Sequence, residues 1–219
     1  MEDLDELLGD SRKFGSFVKD NLSMEENLSL FTIDIPIVKI YTKSRGDIYL
    51  SKPLGEVFYY VIKLDSLKEL RESVKFLINH EIGHFHSEDY LNNPRLTAYF
   101  SSIKEAYKTM YNLSDSRFPD SEATRYALSK STDFKNALAG STAILSFING
   151  DDLELEIELI ERHYSSSSKR LVYNKDNKAP SKLTDFKLSE DLKNQIEEKA
   201  SSYLKLLEKT LKVKRSILF

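Results

Sequence analysis

The sequence predicts an α+β fold in which strands come first and helices follow. Three observations carry this. Residues 30–41 (LFTIDIPIVKIY) are rich in β-branched and aromatic side chains with partial alternation, which suits strands. From residue 65 onward the apolar residues recur at helical spacing instead. The two patterns are segregated along the chain rather than alternating, which separates α+β from α/β.

The elements follow in order. Residues 1–27 are polar and acidic (Glu2, Asp3, Asp5, Glu6, Asp10) and are expected to form a short helix or a loose arm. Residues 30–41 read as a first strand, Lys43-Ser44-Arg45-Gly46 as a turn, 47–50 as a second strand and 56–64 (EVFYYVIKL) as a third. The short connections predict an antiparallel meander. Asp65 or Ser66 is the expected N-cap of a helix over 67–86, with Glu69 placed as a capping-box partner of Ser66. Pro94 opens a helix to about residue 111, and Pro119 one to about residue 130. Residues 133–148 form a further helix stopped at Asn149-Gly150, and 151–164 another. Four serines, 165–168, make a loop, and 174–187 are loop-like. Residues 188–218 form a long amphipathic helix with Leu188, Leu192, Ile196, Ala200, Tyr203, Leu207 and Leu211 on one face. The chain divides into an acidic N-terminal arm (1–27), a main domain (28–175), and a linker with a C-terminal amphipathic helix (176–219).

Composition narrows the function. The 219 residues are 40% hydrophobic and 31% charged, which fits a soluble globular chain. A net charge of −3 gives no basic field for nucleic acid. Cysteine is absent, so a metal would need His, Asp or Glu. The longest mostly apolar run, 136–148, is too short to span a bilayer, and the acidic start does not resemble a signal peptide. A cytoplasmic location is expected. The end of the last helix is basic (Lys209, Lys212, Lys214, Arg215), so packing on the domain and peripheral contact with an acidic membrane are both open to it.

Three of the four histidines fall in NHEIGHFHSED, residues 79–89. His80 and His84 are four apart on a predicted helix, so their rings share one face and can bind a single Zn²⁺. Glu81 lies roughly 100° around the helix, where it can take a proton from metal-activated water without ligating the metal. Gly83 sits where close packing would be needed. His86 is about 200° from His84 and should point away. A plain helix with two solvated histidines is the competing reading. A third ligand is required. His163 is one candidate, and the stretch PDSEATRYAL (119–128) offers Asp120 and Glu122, of which one can face the metal; Asp115 is a weaker option.

These residues resemble the zinc peptidase family that contains HtpX and the CAAX prenyl proteases, including their soluble minimal relatives, the minigluzincins. The block 67–89 (LKELRESVKFLINHEIGHFHSED) is similar to the family's zinc helix, with Asp89 five residues after the second histidine. DSEATRYAL resembles its E-x-E-A-D-R-x-A block, and RHYSSSSKRL (162–171) a downstream H-P-S-x-x-x-R segment. ImmA/IrrE-type peptidases share the first two features. The resemblance implies that residues 28–175 are a zincin-like metallopeptidase domain. By register it implies Asp120 as third ligand, with Glu122 second on chemistry. Thr124 stands where the family has Asp. It implies His163 near the oxyanion and Arg170 on substrate. The expected activity is zinc-dependent endopeptidase action on a peptide or protein, with substrate added to an edge strand of the 30–64 sheet. A catalytically inactive zincin-fold binding protein is the alternative.

Overall fold

Leu7, Leu8, Phe14, Val18 and Leu22 recur at helical spacing near the start of the chain, and in the computed structural model all five are buried. They lie on α1 (Leu4–Gly9) and α2 (Ser11–Leu22). The carboxylate of Asp10 caps α2 by accepting from the amides of Arg12 and Lys13 at 2.9 and 3.2 Å. The acidic segment is therefore not a loose arm: two short helices present their charges outward and put their apolar face in the core. The structure describes residues 4–24, 26–35, 40–42, 47–86, 123, 126, 127, 129–150, 153, 157, 170, 171, 183, 184 and 189–218. For 42, 84–86, 170, 171, 183, 184 and 212–218 it describes the backbone alone.

The strand predicted over 30–41 is two strands, β1 (Ser29–Ile33) and β2 (Ile40–Thr42), with Pro36 in the sequence between them. With β3 (Asp47–Ser51) they form a sheet of order β1-β3-β2. The expected antiparallel meander is corrected: β3 pairs antiparallel with β2 but parallel with β1. One face places Leu30, Ile48 and Leu50 in the core. On the other, Phe31, Tyr49 and Tyr41 stand in register, with ring centroids 4.9 and 5.4 Å apart. Such stacked cross-strand rows fix strand register.

The predicted third strand is a helix, α3 (Lys52–Lys63). Its β-branched and aromatic content suggested a strand, but Leu54, Val57, Phe58, Val61 and Ile62 form a helical stripe and all are buried. Pro53 sits in its first turn. A 3₁₀ turn (Asp65–Leu70) leads directly into α4 (Arg71–His86). The expected cap at Ser66 is not formed; the helical run begins after Leu64 without a side-chain cap.

Two later helices match their predicted spans closely. Asp133 caps α5 (Phe134–Asn149) by accepting from the Asn136 amide at 3.0 Å, and Gly150 ends it. α6 (Glu190–Leu218) lays Leu192, Ile196, Ala200, Tyr203, Leu207 and Leu211 against the body, chiefly along α5. Its apolar stripe is thus engaged in packing through Leu211. α5 also packs on α4: Gly140 abuts Ser73, whose hydroxyl donates to the Asn136 carbonyl at 3.1 Å. Within the region read as loop, Leu183–Thr184 pairs antiparallel with Arg170–Leu171 as β5 and β4. The helix predicted over 94–111 and the serine loop lie outside the described residues; of 151–164, Leu153 and Ile157 are described and helical. The molecule is mixed α and β, with a small three-stranded sheet and mostly helical content. Among the described residues no helix is long and apolar enough to cross a membrane.

Burial pushes the Tyr203 phenol up to about 12, and the nearby Glu69 and Asp133 carboxylates add to the rise. An unfolded tyrosine titrates near about 10. Above that pH the unfolded chain releases a proton that the folded chain keeps. The contribution to stability is therefore intact below about pH 10 and is lost as pH rises through about 12. Urea midpoints measured across this window should fall with pH, and Tyr203→Phe should flatten part of the fall. An unchanged slope in the variant would mean that this phenol stays exposed to solvent.

Candidate metal centre

α4 carries the HEIGH stretch because its apolar residues fit helix packing on two sides. It contacts α5, α3, β2 and β3, and Val74, Phe76, Leu77, Ile78 and Ile82 are buried. From Phe76 to Gly83 every residue is buried, so this part of the helix has no solvent face. His80 is 2% exposed and Glu81 4% exposed. The reading of a solvated histidine pair fails for His80. Its Nε2 is buried with no hydrogen-bond partner among the described residues, while the residue has an interaction elsewhere in the fold. Glu81 is likewise engaged.

His84 follows one helical turn later on the same α4 backbone; its side chain and that of His86 are not described. Asp120, Glu122, His163 and the weaker candidate Asp115 lie outside the described residues, as do Asp89 and Thr124. Arg170 is in β4 opposite Thr184, described by its backbone. Among the described residues no group of three His, Cys, Asp or Glu side chains is placed to hold a metal ion, and of the predicted ligands only His80 has a described side chain.

The close packing expected at Gly83 is present, and its partner is informative. A Cβ added there would lie 2.6 Å from Ala123 Cα, 2.7 Å from the Ala123 carbonyl oxygen and 3.0 Å from Tyr126 Cβ. Ala123 and Ala127, four apart, are fully buried. They and Tyr126 are helical, as the sequence predicted for this block. Ala123 therefore meets α4 backbone to backbone at Gly83, the residue before His84, with Tyr126 beside it. The Tyr126 hydroxyl donates to Glu26 Oε1 at 3.2 Å, and the Thr132 hydroxyl to Glu72 Oε2 at 3.2 Å. Sequence reasoning identified the acids of this block but missed Ala123 and Tyr126. The signal available for the first was the pair of small residues at helical spacing.

No protein-family model, curated protein or solved structure matches the chain.

Gly83 gives a test of the contact by sign. In an exposed helix interior, Gly→Ala stabilises by up to about 1 kcal/mol. Here the methyl meets backbone, which cannot swing aside, so Gly83→Ala should destabilise by about 1–3 kcal/mol in denaturant titrations. Stabilisation would mean that the block does not pack on α4.

Proposed function

We propose that the chain is a zinc-dependent endopeptidase of zincin-like fold, with His80, His84 and Asp120 or Glu122 as the residues that would hold the metal. One observation supports this above others: the contact of Gly83 with Ala123. Gly83 is adjacent in sequence to His84, and Ala123 is adjacent to Glu122 and three residues from Asp120. At Ala123, then, the stretch whose sequence carries the candidate carboxylates comes within backbone distance of the helix whose sequence carries the imidazoles. The donor set also fits. It offers nitrogen and oxygen ligands, His80 presents a buried imidazole, and a chain without cysteine has no thiolate alternative.

When bound, zinc supplies Lewis-acid activation of water and of the scissile carbonyl. The chain's own residues do the rest. Glu81 takes the proton of the attacking water and returns it to the leaving amine. Its burial keeps competing solvent away and strengthens every charge interaction at the site. His163 would stabilise the developing oxyanion and Arg170 would bind the substrate backbone or carboxylate, the roles the resemblance implies for them. Substrate would join a sheet edge as an extended strand. Asp47–Ser51 is the middle strand and is not available for this. β2, which is an edge and contacts α4, is the better placed strand. The substrate is a peptide or protein, and the setting is cytoplasmic.

The departure at Thr124 favours a second reading, a zincin-fold binding protein without catalysis. Metal content and Glu81 separate the two. The protein purified without chelators should hold one zinc per chain, and His80→Ala should lose it. Glu81→Gln should keep the zinc and lower kcat on a peptide substrate by about 100- to 10,000-fold. Equal turnover by wild type and Glu81→Gln would remove Glu81 from the chemistry. Wild type that holds zinc but cleaves nothing would favour the binding protein.

A further inference from the structure

We propose that Tyr126 and Glu26 form a latch that sets how Ala123 and Tyr126 seat on α4, which makes both of them positioning residues for the metal through the candidate carboxylates that precede Ala123 in the sequence. The inference rests on the zinc reading above. Tyr126 touches two bodies at once. Its Cβ is 3.0 Å from the point where a side chain at Gly83 would begin, and its hydroxyl, at the far end of the ring, donates to Glu26 Oε1 at 3.2 Å. A hydrogen bond to a carboxylate is stronger than one between neutral groups, and a tyrosine reaches it with only two torsions to restrain.

Glu26 lies between α2 and β1. It follows the left-handed C-cap of α2 at Ser23, and the amide of Met24, a buried residue, donates to the Lys19 carbonyl at 3.0 Å. Beyond it, Leu30 of β1 is fully buried in the sheet. The latch therefore joins Tyr126 to the stretch between α2 and β1. Two further contacts, Ala123 on Gly83 and Thr132 on Glu72, run to α4. Of these three ties, only Tyr126 to Glu26 crosses to the N-terminal part of the chain. Lys130 lies over the Tyr126 ring, 5.6 Å from its centroid, and restrains the ring from the segment's own side.

Position matters because a metal ligand must be placed within about 0.2 Å of its ideal distance. Outer groups that orient ligands typically contribute about 10- to 100-fold in metal affinity. The test uses the full chain, with zinc affinity read by competition against a chromophoric chelator. The visible absorption of the Co²⁺-substituted protein reports the ligand geometry. Tyr126→Phe and Glu26→Ala should each weaken zinc binding by about tenfold or more and alter the cobalt spectrum. The double variant should bind no worse than the weaker single one, and Glu26→Gln, whose amide oxygen still accepts from the phenol, should restore affinity. Metal-free unfolding midpoints should stay close to wild type. Should Tyr126→Phe fail to fold, Glu26→Ala carries the same test. Wild-type affinity and spectra in both single variants, with His80→Ala devoid of zinc, would overturn the latch and leave the zinc reading standing. Weakened binding with an unchanged cobalt spectrum and an equal fall in metal-free stability would also overturn it, by showing a purely structural tie. A wild-type chain that takes up no zinc would end the zinc reading and the latch with it.

Discussion

At Gly83 the backbone of α4 comes so near Ala123 that no side chain fits between them. Two helical segments separated by some forty residues of sequence are thereby held at a distance that a single methyl group would enlarge. That contact is the geometric condition for a shared site, since imidazoles from one segment can meet a carboxylate from the other only if their backbones lie close. α5 repeats the device on the same helix, with Gly140 against Ser73. Small residues at these points let α4 sit deep in the molecule, with α5 and the sheet around it.

Depth has an electrostatic consequence. A carboxylate and an imidazole consecutive on a helix, at 4% and 2% exposure, would be costly in a core built for stability alone, because buried polar groups lose hydration and must regain partners. An aliphatic pair would fill the same volume at no such cost. Glu81 and His80 are both engaged by other groups of the fold. In the proposed role, the same low-dielectric surroundings would make a proton acceptor at Glu81 and a nitrogen donor at His80 more effective toward a cation and its water than they would be at the surface. Their burial thus agrees with a chemical role and is poorly explained by packing.

Much of this was legible in the sequence where local signals were unambiguous. Asp133 and Gly150 marked both ends of α5, and the stripe from Leu192 to Leu211 defined α6 and its buried face. The helical spacing of His80 and His84 and the tight packing at Gly83 were also readable. The failures share a cause. In EVFYYVIKL, strand-favouring composition competed with a 3.6-residue apolar period, and the period decided the outcome because Val57, Phe58, Val61 and Ile62 could all be buried at once. The acidic residues of 1–27 hid a similar stripe. The parallel pairing of β1 with β3 and the bond from Tyr126 to Glu26 are long-range facts, and neither leaves a trace in local pattern.

The proposed centre is a divalent cation held by two imidazoles of α4 and a carboxylate from the stretch just before Ala123 in the sequence. X-ray absorption at the zinc edge, on protein loaded with one equivalent, examines that arrangement directly. The account predicts two imidazole scatterers and a shell of nitrogen and oxygen at about 2.0–2.1 Å, with one imidazole lost in His84→Ala. A shell of oxygen alone, unchanged by that substitution, would contradict it.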